Sequence, residues 1–379
     1  MADQEDYRCA QKEAHEAETR PPETLGRDEF LAWRSPREVL DGPQSLDNQT
    51  WHWLVRTRLS AWAGNDRFKG PSSDEAGPMW CFDRYGMSQT TLPDGRSVYI
   101  GGEHEDHYDP DFYIYNDVTV IDPDGTIHIR GYSREQFAAT DFHSATLVGN
   151  SLLIIGCLGY PADRVAGFTP VYRLSLDTWQ VERLETDGRS PGWLHRHAAE
   201  LSEDGHTIVV TGGSLWLGEN CSMVENLDSW SLNVSSGHWT RLTSLDWQQW
   251  SMRRADRKFN RLWELRRALW AHENPHCGIS DDWKFEDVPN FAELAKLYRM
   301  DDCEPPTKGE ECDEYNLIMD GITVRFTENM YSVDVLVKGC LSPDRLEALQ
   351  ACTLATLSKL EGAAWEIEPT FVLPSGGDG

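Results

Sequence analysis

Nine consecutive residues, 103 to 111, combine two histidines with five carboxylates. Imidazole nitrogens and carboxylate oxygens are ligands that Fe, Mn and Zn accept in proteins. The candidate metal ligands are Glu103, His104, His107 and Asp109. Their spacing follows no ordered ligand motif, so a solvated acidic loop, whose carboxylates cap turns or face water, explains the same residues. The sequence leaves both interpretations open.

Three further histidines and one aspartate lie ahead of short apolar strands. His143 and His197 occupy equivalent places in a repeat, which favours a structural role for both. His195 lacks that equivalence and Asp141 precedes the second repeat, so these two are the better functional candidates. If the strands that follow them converge, His195 and Asp141 face a common mouth.

The elements that must position these residues recur along the chain. Turns at Asp94-Gly95, Gly149-Asn150 and Asp204-Gly205 lie 55 residues apart, each between two apolar runs. Such dipeptides supply the positive φ angles of tight hairpins. A second hairpin follows each time, which predicts three repeats of four strands. The segment 103–111 then lies in the loop between strands two and three of the first repeat, on a scaffold that suits function.

Glycine pairs, histidines and tryptophans recur at matching places in these repeats. In chain order they are Gly101-Gly102, His143, Trp179, His197, Gly212-Gly213 and Trp239. The pattern resembles the kelch repeat family, whose period is about 50 residues. The resemblance covers residues 81–244 and implies blades of a β-propeller, with binding more often than catalysis. The first repeat lacks the His and the late Trp, and the second has Cys157 in place of the second glycine.

We therefore expect a mainly β protein, a partial or small kelch-like β-propeller with flanking helices and a C-terminal α+β unit. Trp51, Leu54 and Trp62 fall at helical spacing within the N-terminal flank. The expected divisions are a disordered tail (1–26), a helical N-terminal segment (27–80), three kelch-like repeats (81–244), a helical segment (245–300) and a small α+β unit (301–379).

Closure is a difficulty, because propellers typically have four to eight blades and the sequence supplies three. A degenerate fourth blade, a second chain or the flanking segments could cover the open sheets, and we favour the flanking segments. Aromatic and leucine spacing predicts an amphipathic helix over residues 247–272. Its many arginines would either dock an acidic partner or neutralise acidic loops of this same chain, and we favour the second reading.

Composition narrows the function classes. A net charge of -28 repels phosphate backbones, so we expect no nucleic-acid partner. No apolar run reaches the length of a membrane span, and the first 20 residues carry no secretory pattern, which predicts a cytoplasmic protein without a membrane partner. The nine cysteines form no C-x-x-C pair, which indicates reduced thiols rather than a zinc site.

No nucleophile elbow, P-loop or dinucleotide fingerprint occurs. Our leading hypothesis is a kelch-type platform that binds a protein or peptide through its loops, with no organic cofactor and with oligomerisation as one way to cover sheet edges. The candidate partner-binding residues are Tyr108, Phe112, Tyr113, Tyr115, Trp216 and His195. The alternative is a metal-dependent enzyme that uses loop 103–111 with Fe, Mn or Zn. A third reading places the activity in the C-terminal unit.

Overall fold

The computed structural model describes residues 16–219, 223–274 and 291–368, and its regular structure is mainly β. The chain divides into an N-terminal unit, Met1–Trp216 with Asp228–Thr243, and a C-terminal unit, Leu217–Leu227 with Ser244–Gly379. No helix among the described residues has the length and apolarity that a membrane crossing requires.

The N-terminal unit begins with short helices and one short strand. They are α1 (Arg27–Ala32), β1 (Gln44–Ser45), α2 (Gln49–Thr57), α3 (Ala61–Arg67) and α4 (Ser73–Ala76). Asn48 starts α2 by accepting the Trp51 N–H at 2.8 Å, as an asparagine N-cap does. The single helix predicted across Trp51 and Trp62 is instead two helices, because Arg58 adopts a left-handed conformation (φ 54°) that ends α2.

The predicted disordered tail, residues 1–26, is described only from residue 16 onward. The described part is anchored, which corrects the expectation for it. Thr19 and Leu25 are buried, and the Trp53 indole N–H donates to the Thr19 carbonyl at 3.2 Å. A polar composition predicts disorder when too little apolar surface is buried, but a few such anchors suffice to order a short segment.

Three antiparallel sheets follow, one for each predicted repeat. Strands up to residue 241 are β2 (Ser88–Thr91), β3 (Ser97–Ile100), β4 (Glu103–His104), β5 (Tyr113–Ile114), β6 (Val118–Ile121), β7 (Ile127–Gly131), β8 (Ser144–Val148), β9 (Ser151–Ile155), β10 (Val171–Ser175), β11 (Val181–Arg183), β12 (Asp187–Gly188), β13 (Trp193–His195), β14 (Ala198–Leu201), β15 (Thr207–Thr211), β16 (Ser214–Trp216), β17 (Val224–Glu225), β18 (Trp230–Asn233) and β19 (His238–Arg241).

The strand orders are β1-β7-β6-β3-β2 in the first sheet, β11-β10-β9-β8 in the second and β12-β19-β18-β15-β14 in the third. Each repeat thus forms one sheet of four sequential strands, and the predicted hairpins are confirmed. The outer edges of the first and third sheets each gain a two-residue strand, β1 and β12.

Consecutive sheets are joined by equivalent side-chain contacts. In each, a histidine just before the first strand of one repeat contacts a serine in the first strand of the preceding repeat. The His143 ring lies 2.8 Å from the Ser88 hydroxyl, and the His197 ring lies 2.9 Å from the Ser144 hydroxyl. Each histidine therefore contacts the first strand of the preceding repeat. Burial lowers the pKa of His143, and it lowers the pKa of His197 to about 4, so both rings stay neutral near pH 7. The structural role predicted for both histidines is confirmed.

The backbone just before these strands repeats as well. Gly86, Phe142 and Arg196 hold equivalent positions and all have left-handed φ angles of 62°, 48° and 58°. The Phe142 N–H donates to the Gly86 carbonyl at 2.8 Å, and the Arg196 N–H donates to the Phe142 carbonyl at 2.8 Å. This ladder of main-chain bonds sets the starts of the three first strands side by side.

The glycine that ends each second strand is required by close packing on the next repeat. A Cβ added at Gly101 would lie 2.2 Å from the Thr140 carbonyl oxygen, and one at Gly156 would lie 2.3 Å from the Leu194 oxygen. Both glycines also have positive φ. The residue that follows each glycine, Gly102 or Cys157, donates its N–H to that same carbonyl.

Apolar faces lie between the first two sheets, and one outer face is covered by helices. Val98 and Val120 of the first sheet share a core with Ile154 and Leu174 of the second. On the other face of the first sheet, aromatic and aliphatic side chains pack on the N-terminal helices; these include Trp51, Trp53, Leu54, Tyr99, Ile127 and Ile129. The flanking N-terminal segment therefore covers this end of the array.

The third sheet presents a different outer face. The residues aligned there are mostly polar and none is fully buried: Glu200, Thr207, Val209, Ser231, Asn233 and Thr240. A terminal repeat with a polar outer face needs no further apolar cover. Three repeats can therefore remain stable without closing into a ring.

The C-terminal unit is one six-stranded sheet with helices. Its elements are β20 (Gln248–Arg254), α5 (Leu262–Glu273), α6 (Phe291–Leu294), β21 (Thr307–Lys308), β22 (Glu314–Met319), β23 (Ile322–Glu328), β24 (Val333–Val337), α7 (Pro343–Glu361) and β25 (Trp365–Ile367). The strand order is β21-β22-β23-β24-β20-β25. β22 and β23 form a hairpin about Asp320, and Ser342 caps α7 by accepting the Arg345 N–H.

The helix predicted over residues 247–272 is wrong in its first half. Residues Gln248–Arg254 form β20, between β24 and β25, and the helix begins only at Leu262. Trp250 and Met252 face the core of this sheet as every second residue of a strand. In so short an apolar run, a strand period of two cannot be distinguished from helical spacing. The α+β unit predicted for residues 301–379 consequently begins earlier, and residues 275–290 of the predicted helical segment lie outside the described part.

Arginines of residues 253–267 pair with glutamates of the same unit. Arg254 lies 3.0 Å from Glu361, and Arg266 lies 2.7 Å from Glu328. Further pairs join Arg253 and Arg257 to Glu368, 3.1 and 3.0 Å away. This supports internal neutralisation rather than a docking surface for an acidic partner.

We predict that Gly156→Ala destabilises the protein more than Gly149→Ala. Both glycines have left-handed φ angles, 66° and 59°, in the same sheet, so each alanine costs about 1 kcal/mol of backbone strain. Only the Cβ at position 156 meets another repeat, which adds a further ~1–3 kcal/mol. Urea unfolding followed by tryptophan fluorescence measures both. Equal losses would contradict close inter-repeat packing.

We also predict that a fragment of residues 244–379 unfolds cooperatively, whereas a fragment of residues 301–379 does not. The shorter fragment lacks β20, so β24 and β25 lose the strand that joins them. Circular dichroism during heating tests this. A cooperative transition in the shorter fragment would show that β20 is dispensable.

Candidate functional site

The loop singled out by the sequence leaves the first sheet at the end of β3. Glu103–His104 and Tyr113–Ile114 pair as a small ladder, β4 with β5, and hold the two ends of the intervening segment together. The Tyr85 and Glu103 main chains also exchange hydrogen bonds, at 2.9 and 2.8 Å. The predicted position of the loop, between the second and third main strands of the first repeat, is confirmed.

His104 points inward rather than toward solvent. It is buried, and its Nε2 atom lies 3.4 Å from both an Asp111 oxygen and a Glu105 oxygen. Burial alone would lower the pKa of His104, but its bonds to Asp111 and to the Cys81 thiol outweigh burial and raise that pKa to about 10. The ring is therefore protonated near pH 7 and faces the Asp111 and Glu105 carboxylates as a cation.

The other predicted metal ligands point in different directions. His107 is exposed and its ring packs edge-on to Tyr108, 5.3 Å between centroids. Asp109 accepts the Asp111 N–H at 2.8 Å, while Glu103 interacts with Asp141. Within the described ranges, no three His, Cys, Asp or Glu side chains are grouped so that they could hold a metal ion. The predicted ligand set is not brought together, because His104 turns inward to Asp111, Glu103 faces Asp141 and His107 is exposed.

An acidic cleft of about 590 Å³ lies between this loop and the N-terminal helices. Its lining includes five carboxylates and one lysine: Asp66, Lys69, Asp74, Glu105, Asp109 and Asp111. Lys69 is already paired with Asp66 at 2.8 Å. Trp62 also lines the cleft and is 72% exposed.

The floor of the cleft is fixed by buried polar contacts. The Asp111 carboxylate accepts the Met79 N–H at 2.5 Å and faces the His104 imidazolium. Burial would raise the pKa of Asp111, but His104 and the Met79 N–H lower it overall, so this carboxylate stays ionised. Asp111 and His104 therefore neutralise each other and leave the remaining carboxylates as the net charge of the cleft.

A second polar group brings together Glu103 and Asp141, which precedes the first strand of the second repeat. Asp141 is fully buried; one carboxylate oxygen accepts the Gly159 N–H at 2.6 Å, and the other meets no donor among the described residues. Its neighbour is the Glu103 carboxyl. Burial and the Asp141 charge raise the pKa of Glu103 to about 7, so a proton on Glu103 completes the pair.

Two arginines from other segments lower the pKa values of this carboxyl pair. The Arg164 guanidinium donates to the Leu158 and Gly159 carbonyls, both at 3.0 Å, and acts on Asp141. Arg196 acts on Glu103 and stacks over the Phe142 ring at 4.3 Å. Their charges favour ionised carboxyls and so limit the rise of the Glu103 pKa.

His195 is a buried residue just before the first strand of the third repeat. It is 4% exposed and lies in β13, paired with Ser214 of β16. Burial and the charges of Arg196 and Arg164 lower the pKa of His195 to about 4, so the ring is neutral. The prediction that His195 contacts a partner is therefore corrected, because its ring is buried. The charge of Arg164 acts on both His195 and Asp141.

Tyr115 is likewise corrected from a binding residue to a core residue. Its ring is 2% exposed and carries the Arg84 guanidinium 3.4 Å from its centroid. Arg84 in turn pairs with the Asp117 carboxylate at 2.5 Å. A buried ion pair is stable only when the groups around it are retained, so the Tyr115 ring supports the Arg84–Asp117 pair inside the first repeat.

The other predicted aromatic residues remain accessible. Tyr108 is 71% exposed and its hydroxyl donates to Asp106 at 2.7 Å. Trp216 is half-buried in β16. Phe112 and Tyr113 are half-buried and lie near Tyr160 of the second repeat; the Phe112 and Tyr160 rings are 5.8 Å apart.

Sequence reasoning missed several contributors to this region. Trp62, Asp74, Tyr160 and Arg164 come from segments far from loop 103–111, and no local pattern marks them. The structure also shows that Tyr85, Asp141 and His195 hold the same position in successive repeats, just before the left-handed residues Gly86, Phe142 and Arg196, which corrects the expectation that His195 has no repeat equivalent.

No protein-family model and no curated protein match the chain. Among solved structures it is similar to YjhT, with a TM-score of 0.33 and 12% identity over 66% of this chain and 65% of that chain, slightly under two thirds of its length. It is also similar to MPT-4, a mannose phosphorylase from Leishmania mexicana solved with phosphate ion, with a TM-score of 0.28 and 10% identity over 68% of each chain. Likenesses this weak carry no functional inference.

We predict that Glu103→Gln removes a pH-dependent part of the stability. The pKa of Glu103 is raised from its usual 4.5 to about 7. The folded state therefore binds a proton more tightly than the unfolded state, and this stabilisation is full below about pH 4.5 and lost as pH rises through about 7. Urea midpoints of the wild type and the variant, compared from pH 5 to 8, should differ with this slope. Glu203→Gln, an exposed hairpin-turn carboxyl, is the control; parallel curves for wild type and Glu103→Gln would contradict the pairing.

Proposed function

We propose that the protein is a kelch-type interaction platform that binds a basic segment of a partner protein in the acidic cleft. The observation that carries the proposal is the cleft itself, whose lining has five carboxylates and one lysine. Its volume of about 590 Å³ falls in the range of small-ligand sites and admits one or two long side chains.

The kelch assignment is supported by the repeats. Three successive four-stranded sheets are joined at equivalent histidines and left-handed residues, and glycines end their second strands. We propose that these sheets are blades of an open, propeller-like fan. The loops after β3 and β9 then lie at the mouth where the first strands begin, as in a ligand-binding propeller face.

The negative charge of the cleft indicates which kind of partner segment would bind there. Among the described residues, Asp74 and Asp109 have no basic group within ion-pair distance, whereas Asp66 is paired with Lys69. Exposed Trp62 adds a ring face to the rim of the cleft, and arginine binds both carboxylates and indole faces well. A lysine- or arginine-rich segment therefore fits better than an acidic or apolar one.

The metal-dependent enzyme receives less support from this geometry, because His104 turns inward to Asp111 while His107 is exposed. The described residues of the C-terminal unit contain no group of His, Cys, Asp or Glu that could hold a metal ion either. We place the interaction in the cytoplasm, where free thiols such as Cys81 and Cys157 persist.

We predict that Asp74→Asn with Asp109→Asn weakens binding of an octapeptide of alternating Arg and Gly at least tenfold, about 1.4 kcal/mol. Both carboxylates line the cleft, and their loss leaves Glu105 as the remaining carboxylate there that neither Lys69 nor the Asp111–His104 pair accounts for. Isothermal titration calorimetry at 50 and 200 mM salt measures the affinity, which should fall with salt in the wild type.

The matched control removes the same charge elsewhere. Glu200→Gln with Glu203→Gln alters two exposed carboxyls of the third sheet and should change the affinity by less than about twofold, because exposed distant charges are screened. An octapeptide of alternating Gln and Gly should not bind. Equal weakening by both double variants would assign binding to the overall charge and contradict a specific cleft.

A further inference from the structure

A second cleft, of about 340 Å³, lies in the N-terminal unit and contains a cation of the protein itself. The guanidinium carbon of Arg134 is 5.5 Å from the centroid of the Tyr113 ring and 5.0 Å from that of Tyr160. Both distances fall within the range at which a ring face attracts a cation. The two walls that already hold this guanidinium are therefore the Tyr113 ring, which lines the cleft, and the Tyr160 ring, which lies beside it.

These walls are positioned without help from Arg134. The Tyr160 hydroxyl accepts the Ile114 N–H at 2.9 Å, which fixes it beside Tyr113, and Phe112 packs edge-on against the Tyr160 ring. Tyr113 in turn packs on the buried Tyr115, 4.8 Å between centroids. The rings would keep their places if the arginine left.

Arg134 itself is held only lightly. It is exposed, and no carboxylate of the described chain lies within ion-pair distance of it; its neighbours are the Tyr113 and Tyr160 rings. The cleft lining also contains Arg37, Glu38 and Glu135. When Arg134 swings out, two carboxylates face one arginine, so the local charge then favours an incoming cation.

We propose that Tyr113 and Tyr160 form a receptor for a large, weakly hydrated cation on a partner, and that Arg134 occupies this receptor in the free protein. The ligand chemistry is a guanidinium or a methylated ammonium, since both bind ring faces with little loss of hydration. This site is separate from the acidic cleft and does not depend on the function proposed for that cleft. Because a ligand must first displace Arg134, affinity in the free protein is reduced by the fraction of molecules in which the receptor is open.

The test uses the full chain and titrates tetramethylammonium, guanidinium and ammonium chlorides, followed by the chemical shifts of the tyrosine rings. Arg134→Ala should bind tetramethylammonium or guanidinium about tenfold more tightly than the wild type, because self-occupation is removed. Ammonium should bind more weakly, since its hydration is strong. The stronger of the first two salts identifies methylated lysine or arginine as the partner group.

Two controls decide the result. Arg183→Ala removes another arginine that stacks on a ring, 4.9 Å from Phe168, outside this cleft, and should give no gain. Adding Tyr113→Leu to Arg134→Ala should abolish the gain, and Tyr160→Leu provides an independent removal if the first variant melts early. No gain in Arg134→Ala, or a gain that survives loss of either ring, would overturn the proposal.

Discussion

The close approach of each second strand's end to the next repeat is the constraint on which the N-terminal unit depends. Backbone carbonyls of Thr140 and Leu194 occupy the space where a side chain at Gly101 or Gly156 would lie. The same carbonyls accept main-chain N–H groups, so separation by even one methyl group would break both contact and bond. Together with the main-chain bonds from Phe142 to Gly86 and from Arg196 to Phe142, this approach sets the starts of the three first strands side by side.

The outer faces of the first and third sheets are protected from exposing apolar surface in two different ways. Aromatic residues of the N-terminal helices bury the apolar outer face of the first sheet, whereas the outer face of the third sheet is polar. A stack of repeats needs its terminal faces either covered or solvated. Three repeats then suffice, and closure into a ring, with the further blades it would need, is not required for stability.

Acidic charge is used differently in the two units. In the C-terminal unit, glutamates such as Glu361 and Glu328 pair with the arginines of residues 253–267. In the N-terminal unit, loop 103–111 turns His104 inward onto Asp111 and leaves other carboxylates on the cleft wall. The histidine and carboxylates that suggest a metal site in the sequence therefore divide into two groups. His104 is protonated and buried against Asp111, and the other carboxylates line the cleft.

The sequence by itself determined the repeats, their hairpins and the loop that carries the site, because turn dipeptides, alternating apolar residues and required glycines are local signals. It also identified the acidic loop and singled out Asp141, which the structure places beside Glu103. It did not determine that Tyr115 and His195 are buried, that Gln248–Arg254 is a strand, or that Tyr160 and Trp62 join the site. Those outcomes depend on contacts between residues far apart in the chain, where burial and neighbouring charge decide which way a side chain faces and whether it is charged.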